Sequence, residues 1–133
     1  MRPILAAITL PVAACTGVFD TTAAERSVSE FHKLLDPGQF TDIYSSSDEL
    51  RNTTSQSDFV PRLEAMHRKL GKVRSAKKTG WSVNTNTSGT TLEPAYDTAY
   101  SGGNATESFV YVQDGKVARL EGYHISSNAL ILK

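Results

Sequence analysis

Two side chains in the second half of this sequence have the chemistry to move a proton. Glu107 shares strand parity with Phe109 and Tyr111, which points it toward an apolar face, where burial turns a carboxylate into a usable base. His124 sits between Tyr123 and Ile125 and shares parity with Leu120, and a buried imidazole serves as a general base or a polar anchor. Tyr96, Tyr100 and Tyr111 supply hydroxyls nearby, and Trp81 supplies a flat surface for stacking a ligand. Together, Trp81, Tyr96, Tyr111, Glu107 and His124 would line a small-molecule pocket. Each residue also has a plainer reading: a cross-strand ion pair for Glu107, a hydrogen-bonded core histidine for His124, and a core anchor against the helices for Trp81. Asp97 is out of phase with Leu92, Tyr96 and Tyr100, which turns it to solvent.

The remaining reactive types exclude more than they propose. His32 and His67 fall on the polar sides of their helices and read as solvated or capping residues. No histidine has metal-ligand spacing with another His, Cys or carboxylate, so no metal and no cofactor is expected. There is no Gly-x-Ser-x-Gly elbow, and Ser101-Gly102-Gly103-Asn104 reads as a turn, not a phosphate loop. With 14 basic and 14 acidic residues, the chain has no general attraction for nucleic acid. Its basic residues do cluster. Arg62, Arg68, Lys69, Lys72, Arg74, Lys77 and Lys78 stand against the single acid Glu64. A solvated helix end and strand face is the plain reading of that stretch, and an anionic-lipid surface through Arg74, Lys77 and Lys78 the functional one.

The only cysteine carries the most specific signal. Cys15 ends Leu10-Pro11-Val12-Ala13-Ala14-Cys15, directly after an apolar run that begins at Ile4 behind Arg2. Basic start, short apolar run and small residues before a cut have the anatomy of an exported leader. The run is too short to span a hydrocarbon core, which takes about 20 apolar residues. The pattern is that of a lipobox: residues 1–14 are removed, and Cys15 is acylated and becomes the mature N-terminus. Ordinary leader cleavage, with Cys15 incidental, fits the same small residues. Thr16 after the cysteine does not resemble the aspartate of an inner-membrane retention signal, which favours the outer membrane if the host has two. Residues 15–21 then form a tether and 22–133 a single domain without a disulfide.

The elements that position these residues follow from periodicity. Thr22 and Glu25 make a capping-box pattern, followed by Ala24, Val28, Phe31 and Leu35 on one helical face, with Asp36-Pro37-Gly38 as the stop. Phe40, Ile43 and Tyr44 form a short second helix, and Asp48 to Arg51 adds a turn. Asn52 to Ser57 reads as a loop. Phe59, Leu63, Met66 and Leu70 make a third helical face, with Asp58 as N-cap, Pro61 in the first turn and Gly71 as C-cap. The period then becomes two. Strands are expected over 73–85, with a bulge at Gly80, and over 90–100, with Pro94 marking an edge or bulge. Two more follow over 106–113 and 116–125 around Asp114-Gly115. The tail with Ala129-Leu130-Ile131-Leu132 is expected to dock. The fold class is α+β, with two to three N-terminal helices packed on a curved four-stranded antiparallel meander sheet.

Three stretches, Gly38-Gln39-Phe40-Thr41-Asp42-Ile43-Tyr44, Arg68-Lys69-Leu70-Gly71-Lys72-Val73 and Gly80-Trp81-Ser82-Val83-Asn84, carry a resemblance that spans most of residues 22–126. Phe109-Val110-Tyr111, Asp114-Gly115-Lys116 and Gly122-Tyr123-His124-Ile125 extend it. The chain resembles small bacterial lipoproteins similar to the nuclear-transport-factor-2-like (cystatin-like) superfamily. The resemblance implies a cone between helices and sheet, which enzymes of that superfamily furnish with a carboxylate and a tyrosine. It departs from many members in having no strand between its helices before Gly71. The superfamily also contains ligand binders and assembly modules, so fold alone does not choose among them. The expectation is a lipid-anchored envelope protein, attached through Cys15, that acts as a non-catalytic module for an envelope protein partner. A pocket-bearing enzyme or small-molecule binder and an anionic-lipid binder through residues 62–78 are the alternatives.

Overall fold

A computed structural model describes residues 21–87 and 89–131 of the 133-residue chain; the expectations for the leader and Cys15 lie outside these residues. Four helices precede the sheet: α1 (Thr22–Leu35), α2 (Phe40–Ser45), α3 (Asp48–Thr53) and α4 (Gln56–Leu70). Strands β1 (Val73–Asn86), β2 (Gly89–Tyr100), β3 (Gly103–Asp114) and β4 (Val117–Ser126) follow, and a short α5 (Asn128–Ile131) ends the described chain. All neighbouring strands are antiparallel, in the order β1-β2-β3-β4. The α+β architecture is therefore the expected one. Its helical layer is finer than two to three helices, because α3 is separate, capped by Ser47, whose Oγ accepts from Leu50 N.

The apolar stripe of α1 is buried as its spacing requires: Ala24, Val28, Phe31 and Leu35 all lie inward. The Thr22–Glu25 capping box does not form. Thr22 is already helical, Thr21 flanks the helix without a side-chain cap, and Glu25 N donates to the Thr21 carbonyl. In α4 the N-cap is Ser55, not Asp58; Ser55 Oγ accepts from Asp58 N at 3.2 Å. The helix thus starts earlier, within the stretch expected as loop, and Pro61 lies inside it beyond the first turn. Gly71 ends α4 with φ +78°, where a Cβ would fall 2.1 Å from Ser101 Oγ. Only glycine fits where the helical layer hands the chain to the sheet.

β1 is irregular between Lys78 and Gly80, where the bulge was expected, and again between Val73 and Ser75. Pro94 does not mark an edge, since β2 lies inside the sheet. It sits opposite Trp81, where pairing with β3 passes from Leu92–Tyr111 to Ala95–Ser108, and its missing N–H is accommodated there. The β3–β4 ladder holds the irregularity that matters most for function. Val110 faces Gly122, but Tyr111 faces Leu120, so Glu121 is an extra residue.

The helices pack on one face of the sheet around Phe31, Leu35, Ile43, Leu50, Leu63, Met66, Leu70, Leu92, Phe109 and Tyr111. Phe109 is fully buried, with its ring 5.1 Å from Phe31 and from Tyr123 and stacked 6.0 Å from Tyr111. Trp81 is not a core anchor and stays 45% exposed. It sits on the helix side of the sheet opposite the buried Pro94, but on edge strand β1, none of whose residues is buried. The tail docks as expected: α5 packs on α4 and β3, with Ala129 and Leu130 against the core.

Candidate functional site

Glu107 is the most heavily engaged side chain in the molecule. Strand β3 alternates, so Ala105, Glu107, Phe109 and Tyr111 all face the helices and are buried. Glu107 has no exposed surface. Its Oε1 lies 2.8 Å from His32 Nε2 and accepts from Thr98 Oγ1 at 2.5 Å. Its Oε2 accepts from Tyr100 OH at 2.6 Å and from Tyr123 OH. A carboxylate is acceptor-only, so His32 Nε2 carries the proton in that bond. Burial pushes the Glu107 carboxyl up; the bonds from His32, Thr98 and Tyr100, with the attraction of His32, outweigh it and hold the carboxyl below its ordinary value. The same burial, with the Glu107 charge beside them, pushes the Tyr100 and Tyr123 hydroxyls up. The arrangement holds a carboxylate charged among neutral phenols. With four hydrogen-bonding neighbours and no surface of its own, Glu107 ties α1, β2, β3 and β4 together within the core.

The sequence placed only part of this cluster. Glu107 points inward as its parity requires. His32 does not lie on a polar helix side: it is buried and bonded to Glu107. It stands four residues after Val28, on the same stripe as Phe31, and that spacing was the signal for it. His124 is exposed. The extra residue Glu121 shifts the phase of β4, so Tyr123 and Ile125 take the inward positions that parity with Leu120 would have given His124. His67 is likewise half-buried, with Nε2 3.5 Å from Asp36 Oδ1 and its ring edge-on to Phe40. At that separation Nε2 makes no hydrogen bond.

Trp81, Tyr96, Tyr111, Glu107 and His124 do not converge on one pocket. Tyr96 is buried and shares a surface groove of about 400 Å³ between α1 and β1–β2 with His32, Val28, Ser29 and Val73. Tyr111 is buried beside Phe109, and its hydroxyl has no hydrogen-bond partner among the described residues. Asp97 is exposed, as its phase required. The basic stretch is dispersed too. Lys78 pairs with Glu25 on the helix side of β1, Lys77 lies on the opposite face beside Asp97, and Arg74 is exposed at the first β1 irregularity. Arg68 pairs with Glu64, and Lys69 Nζ donates to the Leu130 carbonyl. Among the described residues no group of His, Cys, Asp and Glu could hold a metal ion. No described helix is long and apolar enough to cross a membrane.

An apolar cleft lies elsewhere, between α3–α4 and edge strand β4. It has a volume of about 300 Å³ and is walled by Leu50, Phe59, Leu63, Met66, Tyr123 and Ile125, with Arg62, Glu121 and His124 also lining it. Neither Arg62 nor Glu121 makes an ion pair among the described residues. α3 covers the outer edge of β4 only as far as Glu121: Ser47 Oγ donates to the Leu120 carbonyl at 2.6 Å and Thr53 Oγ1 to the Glu121 carbonyl at 2.9 Å. From Gly122 to Ser126 the edge has no further strand beside it among the described residues. Sequence periodicity gave the apolar face of α4 but not this cleft, which arises because α3 stops short of the strand's end.

Fold and site together define an α+β domain with helices on one face of an open antiparallel sheet, an internally satisfied polar cluster and an apolar cleft at one sheet edge. Compared with known proteins, the chain matches no family model and no curated protein.

Proposed function

We propose that this chain is a lipid-anchored binding module of the bacterial cell envelope, acylated at Cys15, that holds a protein partner in the cleft between α3–α4 and β4. The observation that carries the binding reading is the cleft itself: apolar walls, an unpaired Arg62 and an uncovered strand edge lie side by side. Such edges accept an extended segment through its backbone while pockets read its side chains. Arg62 and Glu121, both without an ion pair among the described residues, give a partner one group of each charge to match. Binding is favoured over chemistry because Glu107, the buried carboxylate of the core, is consumed by four neighbouring donors. The anchor reading rests on the lipobox pattern at Cys15 and on the resemblance to small lipoproteins.

The test is site-specific photocrosslinking in the intact envelope. Benzoylphenylalanine is placed at Thr54 or at Arg62 in the cleft, and at Lys77 on the far face of the sheet as control. The expected result is one shared protein adduct from Thr54 and Arg62 and none from Lys77. No adduct from the cleft, or the same adducts from Lys77, overturns the reading.

A further inference from the structure

Helix α1 starts at the end of the sheet that carries the β1–β2 and β3–β4 turns. Thr21 and Ala24 share a small cleft with Lys78, Trp81, Leu92 and Pro94. One turn on, Ser27 Oγ donates to the Ala118 carbonyl at 3.2 Å, next to Val117 at the start of β4. The far end of α1 meets the other end of the sheet, where Asp36 Oδ1 accepts from Val73 N at 3.1 Å. The exposed large apolar residues are spread over the domain, and only one lies where the chain enters. Trp81 (45% exposed) shares the cleft with Thr21, whereas Val117 (54%) lies on the opposite edge strand β4 and Ile131 belongs to α5.

We propose that the helix side of edge strand β1, where the chain enters the domain, docks on the bilayer with the Trp81 indole at headgroup level. The inference rests on the reading of Cys15 as acylated. Cys15 is six residues before Thr21, and an extended chain of that length spans about 20 Å. The acylated sulfur therefore cannot sit farther than that from the point where the chain meets the domain, whatever path the tether takes. The surface so brought to the membrane is the one that exposes tryptophan, the side chain whose amphipathic ring favours the headgroup region. Arg26, one turn into α1, is exposed and makes no ion pair among the described residues, which suits anionic headgroups. Of the acids nearby, Glu25 pairs with Lys78, and Glu93 faces the other side of the sheet beside Ser82. The cleft beside α4 and β4, on the opposite edge of the sheet, would then be presented clear of the bilayer.

Because Trp81 is the only tryptophan, its emission reports on this contact directly. The full-length protein is made in a bacterium that acylates it, the acylation is verified by mass, and the protein is reconstituted into vesicles of phosphatidylethanolamine and phosphatidylglycerol. The expected result is a blue-shifted emission, quenched several-fold more by lipids brominated near the headgroup than by acrylamide in the water. A Trp81→Phe, Thr22→Trp double variant, with the probe at the start of α1, should be quenched by the same lipids, and Trp81→Phe, Val117→Trp, with the probe on the opposite edge strand, should not. If the protein is acylated and Trp81 is quenched only from the water, the docking surface is wrong while the anchor stands. If Cys15 is unmodified, the anchor reading fails and this inference with it.

Discussion

Replacing Glu107 with glutamine is expected to cost about 3–5 kcal/mol of stability at neutral pH. The amide has nearly the same shape, so the loss is electronic. One end of the side chain changes from acceptor to donor, and two of the four groups around it, from His32, Thr98, Tyr100 and Tyr123, then face a donor. A hydrogen bond to a charged group contributes about 1.5–3 kcal/mol; two such losses, partly relieved by hydroxyl rotation, give the range. In a domain of this size each kcal/mol moves the midpoint by about 4 °C, so the variant should melt roughly 12–20 °C lower. Urea and thermal unfolding followed by circular dichroism measure this. The pH dependence gives a second check. The folded Glu107 carboxyl is held below its usual value of 4.5. Its contribution is therefore complete above that pH and is lost as pH falls through the lower folded-state value. The gap between wild type and Glu107→Gln should narrow on acidification. A glutamine variant within about 1 kcal/mol of wild type at pH 7, or a gap that widens as pH falls, would refute the reasoning.

Five further substitutions separate the roles of neighbouring groups. Tyr111→Phe removes a buried hydroxyl without a partner and should leave thermal stability unchanged or raise it by up to about 1 kcal/mol. His32→Ala strips one donor from the buried carboxylate and should cost about 3–5 kcal/mol, whereas the exposed His124→Ala should stay within about 0.5 kcal/mol; urea midpoints compare them. Gly71→Ala puts a methyl group on Ser101 Oγ at a positive φ and should cost at least about 1–3 kcal/mol in the same assay. Ser47→Ala removes both the cap of α3 and its tie to the Leu120 carbonyl and should cost about 1–2 kcal/mol, with faster amide exchange in residues 48–53.

Elements with strong periodicity were readable from sequence alone. The stripe Ala24, Val28, Phe31 and Leu35 fixed α1, the alternation about Glu107 fixed the inward face of β3, and Gly71 fixed the handover to the sheet. Misreadings arose where one residue changes the phase or a polar group is satisfied at long range. Glu121 adds a residue to β4 and exchanges His124 for Tyr123, an event no local period announces. His32 looked polar on α1 because its partner lies 75 residues away on β3. Trp81 looked like core because tryptophan usually is, yet it sits on an edge strand none of whose residues is buried. The cleft beside β4 depends on where α3 ends relative to the strand, a tertiary fact without a sequence period.

Attachment to the envelope depends on the chemistry of one sulfur atom. Intact-mass and N-terminal peptide analysis of the protein purified from bacterial envelopes should find a chain beginning at Cys15 that carries acyl groups. A mature chain with a free thiol at that residue, or a product that still begins at Met1, contradicts it.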